Sequence, residues 1–221
     1  VIVIMTSCGE YQSLLKSNDY NLVYKKAIEY YNKGDYQRAM NLLDGVRSVF
    51  VGQAKAQNIA YYRAFCSYNM KDYQIASDLF KQFIQTYPES SFAEECLYMM
   101  GFCDYKASPK PRLDQQVTEK AIREFQLYLS RYPYSMRKDK VNTYMDEMRD
   151  KLSYKAYLSA KNYYLREHYK AAVISLQNCL KDYPGSKYRE EIMYMLFVSK
   201  YQMAVNSVED KKVERYNNAR E

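Results

Sequence analysis

Apolar and small residues recur along this chain in two interleaved helical patterns. In the first, positions i, i+4 and i+7 share one helix face: Tyr24, Ile28 and Tyr31, then Tyr61, Phe65 and Tyr68, then Tyr98, Phe102 and Tyr105, each set 37 residues after the last. In the second, an Ala is followed four residues later by a large apolar side chain, in Ala39 and Leu43, Ala76 and Phe80, Ala121 and Phe125, Ala172 and Leu176. A short polar turn separates the two patterns, and Tyr36, Tyr73 and Tyr169 open the second helix of a pair. The spacing therefore predicts antiparallel helix pairs. Ala27, Ala64, Gly101 and Ala160 are the small residues that let the two axes approach.

Punctuation supports this division. Gly34-Asp35 breaks the first helix, and Pro109 and Pro111 place a longer loop in the third copy, where the small-to-Ala distance is twenty positions instead of twelve. Three second helices stop at Tyr-Pro-x-Ser, at Tyr87–Ser90, Tyr132–Ser135 and Tyr183–Ser186. Pro ends one helix there, and Ser is expected to cap the next. From Ser135 to Glu167 there is neither Gly nor Pro, which predicts one helix of about 30 residues, ~45 Å long. The polar stretch 209–221 is expected to fray.

The expected fold is all-α: a solenoid of about five tetratricopeptide-type helix pairs in a short superhelix. The pairs fall at about 20–51, 54–88, 90–133, 135–184 and 186–221, in a single stack over 20–221.

Composition narrows the function. The chain has one His, no Trp and 27 Tyr. His168 falls in the turn of the fourth pair, where it is expected to be solvated. No Ser-His-Asp set, Gly-rich phosphate loop or CxxC pair can be built, so no catalytic residue, metal ligand or cofactor is expected and the protein does not read as an enzyme. Glu94-Glu95 and Glu190-Glu191 follow Tyr-Pro-x-Ser corners and suit the positive end of a helix. Cys66, Cys96, Cys103 and Cys179 read as small buried residues. The net charge is +7, and residues 111–221 hold 21 basic and 15 acidic residues against 12 and 11 in residues 1–110. That asymmetry points to an acidic partner, with Arg131, Arg137, Lys138 and Lys140 as the candidate docking cluster.

No segment approaches the ~20 apolar residues of a transmembrane helix. The start is different in kind. Val1–Met5 is apolar, and Thr6-Ser7-Cys8-Gly9 follows. This resembles a bacterial lipobox, with Met5 where Leu is usual. Residues 1–7 are expected to be the remainder of a lipoprotein signal peptide, Cys8 the lipidated residue, and 8–19 a tether.

The lipobox at Cys8, five helix pairs, repeated Tyr-Pro-x-Ser and an elongated third pair before a long helix together resemble the BamD family, the β-barrel assembly lipoproteins of the outer membrane. The resemblance implies a scaffold anchored to the outer membrane and facing the periplasm. It implies as partners a BamA-like barrel assembly subunit, the C-termini of unfolded outer-membrane proteins, other assembly lipoproteins, and the membrane through the lipid anchor, but no nucleic acid. Members bind the barrel subunit through C-terminal repeats and receive clients on N-terminal ones. In this sequence the client groove is expected on Tyr24, Ile28, Tyr31, Tyr61, Phe65, Tyr68, Tyr98, Phe102 and Tyr105, with Phe65 and Phe102 as anchors. The alternatives are a periplasmic repeat adaptor of another envelope or cell-wall machinery and an RNA-binding helical repeat.

Overall fold

The structure, a computed structural model, describes residues 4–220, with side chains from residue 9 onward. Among these residues it has eleven helices and no strand. They are α1 (Ile4–Leu15), α2 (Tyr20–Asn32), α3 (Tyr36–Val46), α4 (Ala54–Asn69), α5 (Tyr73–Thr86), α6 (Ala93–Ala107), α7 (Gln116–Arg131), α8 (Lys138–Leu165), α9 (Tyr169–Asp182), α10 (Arg189–Val205) and α11 (Glu209–Arg220). The helices pack in consecutive pairs, as expected of a tetratricopeptide-like solenoid.

Small residues set the pairing. Ala27, Ala64, Ala160, Ala39, Ala76, Ala121 and Ala172 are fully buried, and so are Leu43, Phe80, Phe125 and Leu176 four residues after the second set. At Gly101 a Cβ would stand 2.9 Å from the Phe125 ring, so the third pair closes only over glycine.

The turn inside the first, second and fourth pairs uses a left-handed residue. Gly34 supplies it at φ 81°, and Lys71 (φ 68°) and Glu167 (φ 61°) hold the same place in the second and fourth copies. In all three, two successive amides close back onto the first helix: Gly34 and Asp35 donate to Tyr31 and Tyr30, Lys71 and Asp72 to Tyr68 and Ser67, Glu167 and His168 to Tyr164 and Tyr163. A side chain at such a φ is strained. Lys71→Gly is therefore expected to raise stability by up to about 1 kcal/mol, read as a higher urea midpoint. A lower midpoint would show that Lys71 makes up for its strain elsewhere.

The Tyr-Pro corners differ from expectation in one detail. Ser90, Ser135 and Ser186 are not the residues that immediately precede the next helix. Each hydroxyl accepts from the amide two residues on, of Phe92 (3.2 Å), Arg137 (3.2 Å) and Tyr188 (3.3 Å), and the helix begins just afterwards. The serine thus holds a turn one step ahead of the helix.

The chain divides into two compact units. Of the described residues, the first comprises 4–108 and 116–141, the second 109–115 and 142–220. α8 begins in the first and continues into the second. The second unit has its own core of Tyr157, Ala160, Ala172, Leu176, Cys179, Ile192 and Met195. α11, where fraying was expected, is helical through Arg220; its Ala219 is buried and its Tyr216 ring lies 5.7 Å from Tyr201.

The segment 8–19, expected to be a bare tether, contains most of α1. Tyr11 and Leu14 are buried in the core of the first pair. Asn41 Nδ2 donates to the Tyr11 hydroxyl (3.0 Å), the Tyr30 ring meets Tyr11 edge-on at 5.9 Å, and the Arg38 guanidinium lies 5.2 Å over Tyr11. These contacts give the segment a packing role. Residues 1–3 and the Cys8 side chain, on which the lipobox reading rests, lie outside the described ones. No described helix is long and apolar enough to cross a membrane.

Candidate functional site: an aromatic run across the first three pairs

The nine groove residues lie on α2, α4 and α6 of the first unit. None is fully exposed. Tyr98 is buried and the other eight are half-buried. The expected open ladder is therefore a wall of side chains that lean on one another and on the second helices.

Their ring contacts form a nearly continuous run. Tyr31 meets Tyr62 at 4.9 Å, Tyr62 meets Tyr61 at 5.5 Å, and Tyr61 meets Phe65 at 4.5 Å. Phe65 meets Tyr68 at 6.3 Å, and Tyr68 reaches the next pair at Phe102 (6.2 Å). Phe102 is stacked between Tyr98 (5.7 Å) and Tyr105 (5.9 Å). Tyr24 packs instead on Phe50 (6.1 Å), and Ile28 lies against the first-pair core. Spacings of 4.5–7 Å are those at which aromatic pairs attract beyond their buried area.

Polar groups fix the run at defined points. The Tyr61 hydroxyl donates to Glu95 Oε2 at 2.8 Å. Burial is the main cause that pushes the Tyr31 phenol up to about 12, and burial also raises Tyr61, helped by its bond to Glu95. These rings stay neutral donors at physiological pH. Glu94 Oε1 accepts from the Tyr128 hydroxyl (3.0 Å) and the Ser135 hydroxyl (2.7 Å). The acidic pair at the start of α6 thus ties that helix to its neighbours, besides suiting the helix end.

Sequence reasoning missed Tyr62 and Phe92. Phe92 lies 4.5 Å from Tyr61. Its signal was present: two residues after each Tyr-Pro-x-Ser serine stand Phe92, Arg137 and Tyr188. Each covers the first rung of the pair before it, Phe92 on Tyr61, Arg137 over Tyr98 at 5.0 Å, and Tyr188 on Tyr157 at 4.3 Å. In the fourth pair the rungs are Tyr157, Lys161 and Tyr164. Lys161 Nζ, at the middle rung, donates to the Tyr157 hydroxyl (2.8 Å) and Glu191 Oε1 (2.7 Å). The apolar wall therefore belongs to the first three pairs.

The four docking cations differ in their surroundings. Arg131 is exposed and donates to Pro88 O at 2.9 Å. Arg137 is half-buried, 3.6 Å from Glu95 Oε1 and over the Tyr98 ring, so it belongs to the aromatic wall. Lys138 and Lys140 are exposed at the start of α8.

His168 is exposed at the start of α9 and makes no side-chain cap bond. Cys66, Cys96, Cys103 and Cys179 are free and buried, and burial pushes the Cys66 and Cys96 thiols up to about 12, far from the reactive thiolate.

Helices packed in consecutive pairs define a helical-repeat protein of the tetratricopeptide-like class. Its family follows from comparison: residues 16–215 match the model of the YfiO family, described as outer membrane lipoprotein. The chain belongs to this family, which is the BamD family of the sequence resemblance. No curated protein matches it significantly.

Proposed function

We propose that the protein is a lipid-anchored scaffold subunit of the β-barrel assembly machinery, held to the outer membrane through Cys8 and facing the periplasm. In this reading the aromatic run on α2, α4 and α6 receives C-terminal peptides of unfolded outer-membrane proteins. The cationic stretch Arg131, Arg137, Lys138 and Lys140 docks a BamA-like barrel assembly subunit, and other assembly lipoproteins join the complex.

The observation that carries the reading is the run of half-buried rings from Tyr31 to Tyr105 in a chain of an outer membrane lipoprotein family. A wall of this kind offers apolar area and ring faces to an extended guest without fixing its sequence, which suits a receiver of many clients.

The test is co-purification of the full-length precursor product from detergent-solubilised envelopes. A large β-barrel protein with periplasmic domains is expected in stoichiometric amount, and Cys8→Ser is expected to move the protein out of the membrane fraction. Recovery of cell-wall enzymes with no barrel protein would replace the reading with that of an adaptor.

A further inference from the structure

The three Tyr-Pro-x-Ser corners share one backbone design and differ in what they display. Each serine hydroxyl accepts from the amide two residues on, so the residues on either side of it are presented alike. After α5 these are Glu89 and Ser91, and after α9 they are Gly185 and Lys187. After α7 they are Tyr134 and Met136, each 98% exposed. They are the most exposed large apolar side chains among the described residues.

This corner is rigid at its base. Tyr128, fully buried, and Ser135 share Glu94 Oε1, and the two hydroxyls lie 2.6 Å apart. Tyr134 and Met136 thus stand out from a fixed stretch of backbone, so the ordering cost of binding falls on their own rotamers alone. Residues 131–140 hold four cations and one acid, so the segment that carries the two apolar groups is net positive.

Two surfaces could take such a knob: an anionic membrane, or a protein pocket lined with apolar groups and edged by carboxylates. The topology of the first unit favours the protein. α1 is joined to α2 by four residues and lays Tyr11 against Tyr30 and Arg38, beside the turn between α2 and α3. A chain anchored ahead of Tyr11 therefore holds that edge of the unit toward the membrane. The α7–α8 corner follows a second helix and lies at the opposite edge.

We propose that Tyr134 and Met136 are the anchor of a protein docking site whose partner presents an apolar pocket rimmed by Asp and Glu. This deepens the reading under Proposed function, on which it rests, and takes the barrel assembly subunit as the partner. The cations then steer the encounter, and the Tyr and Met groups hold the complex.

The test uses the full chain and the purified periplasmic domains of that subunit. Tyr134→Gly with Met136→Lys copies the corner after α9, so the backbone geometry is one this chain already uses, and the change adds positive charge while removing both apolar groups. Affinity is expected to fall at least about tenfold, through faster dissociation. Unaltered affinity of the variant, with the wild type bound, would overturn the corner as anchor and leave the assembly reading standing. Failure of the wild type to bind those domains would overturn both. A parallel arm uses phosphatidylglycerol vesicles and protein lacking the lipid. Vesicle binding lost in the variant, with subunit binding intact, would make the corner a membrane contact and overturn the proposal.

Discussion

Lys120→Met is expected to lower the stability of the first unit by about 2–3 kcal/mol. Asp104, on α6, is 2% exposed, and its Oδ2 accepts from Lys120 Nζ at 2.9 Å and from the Ser77 hydroxyl at 3.0 Å. Lys120 Nζ also lies 3.7 Å from Glu124 Oε1. Removing the ammonium leaves a carboxylate in the interior with only neutral donors, the Ser77 hydroxyl and the Glu124 carboxyl. Breaking a buried pair commonly costs about 3–5 kcal/mol, and the lower figure allows for screening at Lys120, which is 36% exposed. A urea midpoint that does not move would show that water already supplies what the lysine gives.

The same cluster carries a pH dependence. Burial, then the hydrogen bond to Asp104 and its charge, push the Glu124 carboxyl up to about 8, against the opposing pull of Lys120. The fold therefore holds a proton that the unfolded chain releases near the ordinary value of 4.5. This contribution is full below the unfolded value, declines as pH rises, and is gone above about 8. Glu124→Gln keeps a neutral side chain beside Asp104 at every pH. It should flatten the stability profile between about pH 5 and pH 8; urea midpoints of both proteins across that range test it.

Phe65→Ala with Phe102→Ala is expected to weaken the binding of a barrel protein's C-terminal peptide by about 2 kcal/mol or more. Phe65 packs on the buried Phe80 at 5.0 Å, and Phe102 stacks on Tyr98 and Tyr105. Both are half-buried, so the variant should also lose about 1–3 kcal/mol of stability. Peptide titrations belong well below the variant's melting transition, with helicity checked by circular dichroism. Equal affinity in a folded variant would remove the aromatic run from client binding.

The helix pairs were legible because their signals are local. The small-to-Ala spacing, the left-handed turn at Gly34 and the Tyr-Pro stops each occupy a few residues and recur. α1 was not legible, since Tyr11 and Leu14 are two apolar residues in a polar stretch and acquire a role only against the first-pair core. The Asp104–Lys120 pair was hidden for a related reason: sixteen positions and a proline loop separate residues that the third pair brings to 2.9 Å. The rungs lie on α2, α4 and α6, but none is fully exposed, although the periodicity alone predicts an open face. Whether a Tyr at i and a Phe at i+4 meet solvent depends on Phe92, Arg137 and Tyr62, which arrive from elsewhere in the chain or from the next position on the helix.

The division of the chain bears on any attempt to dissect it. Residues 109–115 leave the first unit between α6 and α7 and belong to the second, where Lys155 Nζ donates to Leu113 O at 2.8 Å. Neither unit is one uninterrupted length of polypeptide. A fragment ending near residue 141 carries a proline loop without its packing partner, and one starting there lacks the loop that α8 expects. On the ribosome the loop emerges about forty residues ahead of Lys155, so it waits, unpaired, while the helices around it close.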